Sequence, residues 1–266
     1  MATTYLNRTL AANNEKKLTI SLWVKFAKIQ ETMLVSNYYS GSYWGSLYLG
    51  SDHTLRFDDY RNSYILKLRS TEVFRDVGAW YHICANFDCS ISSPTAKLYV
   101  NGSEVSYSVQ TIYSQNATTS WNTDYDFQIG KGTDLGGNNL EGCISDLYFI
   151  QGYTYDASTF GEFDSTSGIW VPKTQPTINY GGTGGNSCHL KFENGGNLDL
   201  DSGSNNVSFT TTGALTQTTD TPSNNFATLN PLLSGIGTGS NAVTYMANNT
   251  RCDVGNNVWR TMCSTM

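Results

Sequence analysis

Leu18-Thr19-Ile20-Ser21-Leu22-Trp23-Val24-Lys25-Phe26 is the most regular stretch of the chain. Leu18, Ile20, Leu22, Val24 and Phe26 alternate with Thr19, Ser21, Trp23 and Lys25, the period of two that lays one face of a β-strand on a core. Shorter candidates follow it at Met33 to Tyr38, Ser46 to Leu49, Thr54 to Asp58, Ser63 to Leu68, Trp80 to Phe87, Lys97 to Val100, Phe127 to Ile129 and Cys143 to Ile150. Each is closed by Gly, Asn, Asp or Ser. Asn101-Gly102 supplies the two positive-φ positions of a type I′ hairpin turn, which predicts a return strand over Glu104 to Val109. Many short strands with turns between them, and no helical pattern, predict an antiparallel sandwich rather than a βαβ fold.

Composition agrees with this reading. Aromatic residues make up 13% and charged residues only 14%, a balance that favours strands and turns over helices. The formal net charge of −6 and the absence of a Lys/Arg cluster leave no surface for phosphate, so nucleic acid is not an expected partner. No apolar run approaches the roughly 18 residues that cross a bilayer, so membrane insertion is not expected. Met1 to Ala12 lacks the basic and hydrophobic regions of a secretory signal, and Sec export is not expected either. The 6 cysteines (Cys84, Cys89, Cys143, Cys188, Cys252 and Cys263) form neither CxxC pairs nor histidine-flanked zinc sets, and most read as free thiols packed as small hydrophobes, the alternative being a disulfide framework.

The periodic part ends near Gln151. Gly152 to Lys173 is aromatic but aperiodic, and Gln175 to Ser187 has the Gly, Pro, Thr and Asn of a linker or long surface loop. A second β-like portion begins at His189-Leu190-Lys191-Phe192, continues through Val207 to Thr212 and becomes a polar tail from Thr221. This divides the chain into a sandwich (1–155), an aperiodic connector (156–188) and a C-terminal extension (189–266). The extension is too poor in apolar residues to offset its own chain entropy, so it is expected to pack on the sandwich or on another subunit.

Three stretches together resemble the laminin G-like branch of the concanavalin A-like lectin/glucanase superfamily. They are Leu18 to Lys25; Gly78-Ala79-Trp80-Tyr81-His82-Ile83-Cys84 with Lys97-Leu98-Tyr99-Val100-Asn101-Gly102; and Leu140-Glu141-Gly142-Cys143-Ile144-Ser145-Asp146-Leu147-Tyr148-Phe149. The resemblance implies an all-β, concanavalin A-like jelly-roll sandwich with a β-rich, irregular C-terminal extension. That fold hosts lectins, adhesion modules, glycanases and structural domains alike. Gly161 to Lys173, His189 to Phe192 and Thr219 to Pro231 are similar to stretches that follow such a domain in virion proteins of aquatic bacteriophages. This likeness implies a virion surface protein, either a tail fibre with receptor-binding function or a capsid decoration. Its partners would be other capsid or tail proteins and a host-surface glycan, and it would self-associate, as a trimer. A sandwich that starts close to Met1 would leave attachment to the C-terminal half.

Glycan hydrolysis on this fold resembles the work of two carboxylates in an ExDxxE pattern on one strand, and the chain has no such pattern. Glu162-Phe163-Asp164 comes nearest but lacks the trailing glutamate and reads as a solvated acidic turn. The 3 histidines, His53, His82 and His189, are far apart and no Gly-x-Ser-x-Gly elbow accompanies them. His82 and Cys84 share a strand face, where side chains run parallel and do not converge on one atom. No catalytic residue is therefore expected, and the alternative is a secreted polysaccharide-binding module or a glycoside hydrolase. The family resemblance implies calcium at a sandwich rim, for which Asp134, Asn138 and Asn139 have suitable hard oxygens; the same residues suit a plain turn. Sugar binding calls for aromatic rings that stack on a pyranose. The candidates are Tyr38, Tyr39, Tyr43 and Trp44 in one turn and Trp121 and Tyr125 in another, unless these rings fold over a sheet edge or enter a subunit interface.

Overall fold

The computed structural model describes residues 4–133 and 137–225, together with the backbone of 244–246 and 251–253. In chain order the first strands are β1 (Tyr5–Thr9), β2 (Lys17–Phe26), β3 (Thr32–Ser40), β4 (Tyr43–Leu49), β5 (Thr54–Arg61) and β6 (Tyr64–Val73). They are followed by β7 (Tyr81–Asp88), β8 (Thr95–Val100), β9 (Ser103–Glu104), β10 (Tyr107–Thr111), β11 (Asp126–Ile129) and β12 (Gly142–Gln151). Beyond them lie β13 (Gly161–Phe163), β14 (Trp170–Pro172), β15 (Cys188–Leu190), β16 (Thr210–Thr212), β17 (Thr244–Met246) and β18 (Arg251–Asp253). Two antiparallel sheets face each other, an 8-stranded one in the order β10-β6-β5-β4-β3-β11-β1-β16 and a 6-stranded one in the order β15-β12-β2-β7-β8-β9. The all-β sandwich expected from the alternating segments is the observed fold.

The core lies where the alternation places it. Leu18, Ile20, Leu22, Val24 and Phe26 of β2, with Ile83, Ala85 and Phe87 of β7, meet Val35, Leu47, Leu49, Leu55, Phe57, Leu66 and Leu68 of the opposite sheet. Phe57 and Phe87 stack across the gap with ring centroids 6.4 Å apart, and Phe127 and Phe149 meet at 4.5 Å with their planes tilted by 47°. Each such side chain contributes about 1.5–3 kcal/mol relative to exposure, which sets the register of every strand that carries one. Cys84, Cys89 and Cys188 are buried free thiols, as their sequence setting predicts.

Three expectations are corrected by packing between distant segments. First, the strand predicted over Glu104 to Val109 is split in two. Asn101 and Gly102 have φ of 47° and 83°, as a type I′ turn requires, but only Ser103 and Glu104 return along β8. Val105 then turns into the core and bonds Leu98, so that β10 pairs with β6 in the other sheet. Second, β2 is buried on both faces, because the outer side chains of the 6-stranded sheet are covered by the chain itself. Trp23, Cys84, Tyr99 and Tyr148 pack there against Phe160 and Trp170. Third, the stretch read as aperiodic contains the β13–β14 hairpin, whose strands have only 3 residues each and so show no period. Gly102 is needed beneath this hairpin: a Cβ there would come within 2.5 Å of the Trp170 ring.

Residues after 187 complete the sandwich. β15 adds to β12 and β16 adds to β1, while Cys188 and Leu190 enter the main core. Asp201 ties this region together by accepting the backbone N–H groups of His189, Gly203 and Val207. Further on, Asp220 accepts from Lys25 Nζ at 2.8 Å and from Trp80 Nε1 at 2.9 Å. Lys25, which strand alternation would place in solvent, is thereby only 4% exposed.

Candidate carbohydrate-binding face

The register of the 8-stranded sheet sets an aromatic row on its outer face. Tyr38 of β3 lies opposite Trp44 of β4, Trp44 opposite Tyr60 of β5, and Tyr60 opposite Tyr64 of β6. Direct cross-strand partners in an antiparallel sheet share a face, so all four rings project to the same side. Trp44 and Tyr60 stack with centroids 5.5 Å apart and planes at 16°; Tyr64 meets Trp44 edge-on at 6.0 Å and Tyr60 edge-on at 5.1 Å. The hairpin that brings β6 back beside β5 turns at Asn62, whose φ of 59° is a conformation Asn tolerates better than most residues.

A second group stands at the same end, on the opposite side of the strands. Tyr39, 66% exposed, stacks on Tyr125 at 5.0 Å and meets Tyr43 edge-on at 6.4 Å. The Tyr43 hydroxyl accepts from Asn62 Nδ2 at 2.7 Å, and the Arg61 guanidinium lies 5.3 Å from the Tyr43 ring centroid. These residues belong to strand ends that outrun the core, so their inward side is open.

The six aromatics singled out from the sequence are therefore distributed over three places. Tyr38 and Trp44 join the outer row, Tyr39, Tyr43 and Tyr125 form the rim group, and Trp121 does neither. Trp121 sits in a short 3-10 turn (Ser120–Asn122) and is 1% exposed, wedged between Phe57 and Phe149. It plugs the open end of the sandwich and cannot stack on a sugar. Its ring lies so close to β4 that a Cβ on Gly45 would approach it to 2.7 Å. Tyr60 and Tyr64 were missed because their membership follows from register, which the alternation of β5 and β6 alone does not specify.

Beside the row the outer face is polar. Asp58 accepts from the Tyr48 hydroxyl at 3.0 Å and lies 3.5 Å from the Arg69 guanidinium. Ser46, its cross-strand partner, Asp58 Oδ1 and Arg69 Nε are buried without a hydrogen-bond partner among the described residues. Burial pushes the Asp58 carboxyl up to about 6, against the pull of Arg69. Asp59 points the other way, accepts from Tyr113 and from the Ser120 N–H, and is likewise pushed up to about 6 by burial.

A family model for the concanavalin A-like lectin/glucanases superfamily (Laminin_G_3) matches residues 2–153. The chain belongs to this superfamily. Solved structures similar to this concanavalin A-like chain include a heptameric SAP-like pentraxin from Limulus polyphemus, with 21% identity, TM-score 0.41, and 56% of this chain and 70% of that one covered. Domain 4 of the GH43 extracellular arabinanase AbnA from Geobacillus stearothermophilus, in complex with arabinotriose, has 20% identity, TM-score 0.42, and coverage of 54% and 63%. Domains LG4-5 of the mouse laminin α1 chain have 16% identity, TM-score 0.43, and coverage of 56% and 39%. The chain thus spans less than two thirds of the last two. No curated protein matches it.

Within this concanavalin A-like frame the other candidate groups are committed elsewhere. The Trp170 indole N–H donates to His82 Nδ1 at 3.1 Å, which leaves Nε2–H to donate to Ser21 Oγ at 2.9 Å. A serine nucleophile requires the imidazole to accept its proton, and here the imidazole donates. Burial also holds His82 down to about 3, so it is neutral. The neighbouring Cys84 thiol is pushed far up by burial and carries no thiolate. His53 accepts from Arg75 in a turn, and His189 stacks on Tyr148 at 3.8 Å beside Asp146. Asp164 accepts N–H groups of its own turn from Thr166 and Ser167, as a solvated acidic turn does.

Two of the three rim-loop residues that the resemblance implied for calcium are described. Asn139 gives its side-chain oxygen to the Gly132 N–H at 3.0 Å, Asn138 donates to Glu31, and Asp134 lies outside the described residues. A cleft of about 1250 Å³ opens between the start of β12 and segment 214–223. Its aromatic lining, Tyr5, Trp80 and Phe192, is scattered, and Trp80 is held by Asp220, so the cleft has no ring platform like the outer row.

Proposed function

We propose that this chain is a non-enzymatic, glycan-binding surface protein of a bacteriophage virion, either a receptor-binding tail component or a capsid decoration. The Trp44–Tyr60–Tyr64 platform carries the binding part of this reading. Its rings are partly exposed, held rigid by neighbouring strands and bordered by polar groups, the combination that receives the apolar face of a pyranose and its hydroxyls. The lectin-like fold supports it. The virion part is supported by the likeness of Gly161 to Lys173, His189 to Phe192 and Thr219 to Pro231 to virion proteins, although residues 226–231 lie outside the described part.

The carboxylate geometry supports binding without turnover. Retaining and inverting glycosidases set two carboxyl groups about 5–5.5 Å or 6.5–9.5 Å apart across one glycosidic bond. Asp58 and Asp59 are adjacent on β5 and point to opposite faces, so they cannot flank one bond. On this reading the sandwich (1–155) displays the binding face, the connector (156–188) braces its back, and the extension (189–266) docks onto other virion proteins within a trimer at the virion surface.

A glycan array, a reducing-sugar assay on the bound polymers and mass spectrometry of purified particles test the proposal together. We expect glycan binding, no sugar release and the chain present at high copy in particles. Trp44→Ala is expected to weaken binding about tenfold, the loss of one stacked ring. Release of reducing sugar would replace the reading with a glycoside hydrolase. Binding by a chain absent from particles would replace it with a secreted polysaccharide-binding module, and no binding at all would leave structural decoration alone.

A further inference from the structure

β5 and β6 carry cations on the outer face in an arrangement that sheets ordinarily avoid. Arg56 and Arg69 are direct cross-strand partners, and like charges set opposite one another destabilise an antiparallel pair. Lys67 stands on the same face and holds Nζ 4.1 Å from the centroid of Tyr64, the ring that closes the aromatic row. Three cations thus border the platform on one side, in a chain whose net charge is −6.

The carboxylates nearby neutralise them only in part. Asp52 takes Arg56 at 2.8 Å from the turn between β4 and β5, and Asp58 lies at the buried floor 3.5 Å from Arg69. Lys67 makes no ion pair among the described residues, and Arg69 Nε has no hydrogen-bond partner there. Three cations set against two carboxylates keep an excess of positive charge beside the platform, and guanidinium and ammonium donors bind carboxylate and sulfate oxygens through charge-assisted hydrogen bonds.

We infer that the glycan bound at this face is acidic, with a pyranose on the Trp44–Tyr60 stack and its carboxylate or sulfate against Lys67 and Arg69. The inference rests on the glycan-binding reading above and narrows it to a substrate class.

Calorimetric titration of the full chain tests it with four probes: polygalacturonate for the carboxylate, dextran sulfate for the sulfate, neutral dextran, and polyglutamate as a polyanion without sugar rings. We expect one of the two acidic polysaccharides to bind at least tenfold more tightly than neutral dextran at low salt, and the difference to shrink at high salt. Which of the two is preferred identifies the anionic group. Lys67→Gln should weaken the acidic polymer about fivefold and leave neutral dextran unchanged, and Lys67→Arg should restore binding, with melting temperatures confirming that both variants fold. Equal binding of acidic and neutral polymers, or of polyglutamate and the acidic polysaccharides, would overturn this inference and leave glycan binding intact. If none of the polysaccharides binds, the glycan-binding reading fails and this inference with it.

Discussion

Both sheets carry a Tyr- and Trp-rich outer face, but the described residues cover only one of them. On the 6-stranded sheet Trp23, Tyr99 and Tyr148 lie beneath Phe160 and Trp170, and all five are less than a tenth exposed. On the 8-stranded sheet Trp44 and Tyr60 are only half-buried and Tyr64 is 37% exposed, because no described segment folds over them. The two faces look alike in composition. What separates a second core from a candidate binding surface is whether another part of the chain arrives to exclude water.

Truncating one ring on each face should expose that contrast. Trp170→Ala removes the lid over His82 and is expected to cost about 3–5 kcal/mol, read as a fall in urea midpoint. Trp44→Ala should cost only about 1 kcal/mol while weakening glycan binding. Equal losses from the two substitutions would mean that the outer row is core as well. Asp220→Ala should follow at about 3 kcal/mol, since it strips a carboxylate from the buried Lys25 and Trp80 and loosens segment 218–225. Cleavage of that segment by protease under native conditions would report the loosening directly.

A further effect separates the faces by pH. Asp58 takes up its proton near 6 in the folded chain and near 3.8 when unfolded, so between those values the folded state holds more protons. Its contribution to stability therefore falls as pH rises through this window and stays low above it. His82 behaves oppositely: folded it protonates near 3 and unfolded near 6.5, so the stability it contributes is present above 6.5 and is lost as pH falls toward 3. Asp58→Asn should thus stabilise the chain on the order of 2 kcal/mol at pH 7.5, and the gain should vanish by pH 4. In that variant acidification from pH 6.5 to pH 4 should be more destabilising than in the parent, because His82 is left with one less opposing group. A gain that does not change with pH would show that Asp58 is not buried as a charge.

Much of the fold was legible locally. The alternation of β2 names the residues that reach the core, Asn101-Gly102 names its turn, and the closing segment before Gln151 is a strand within a residue of its expected bounds. The candidate site was legible in residue type but not in arrangement. A Tyr/Trp cluster at 38–44 is visible, yet its division between outer row and rim follows from a one-residue step along pleated strands, and Tyr60 and Tyr64 enter only through register. Trp121 was misread because a loop aromatic that plugs a sandwich end has the same neighbours in sequence as one that faces solvent.

By itself, then, the amino-acid order determined those features whose causes lie within a few residues: strand periods, positive-φ turns and the inward face of each strand. Coverage was decided only in three dimensions. Trp170 reaches His82 from 88 positions away and Asp220 reaches Lys25 from 195, so nothing near either partner encodes the contact. Burial of a face is a property of two surfaces meeting, and a one-dimensional pattern specifies only one of them.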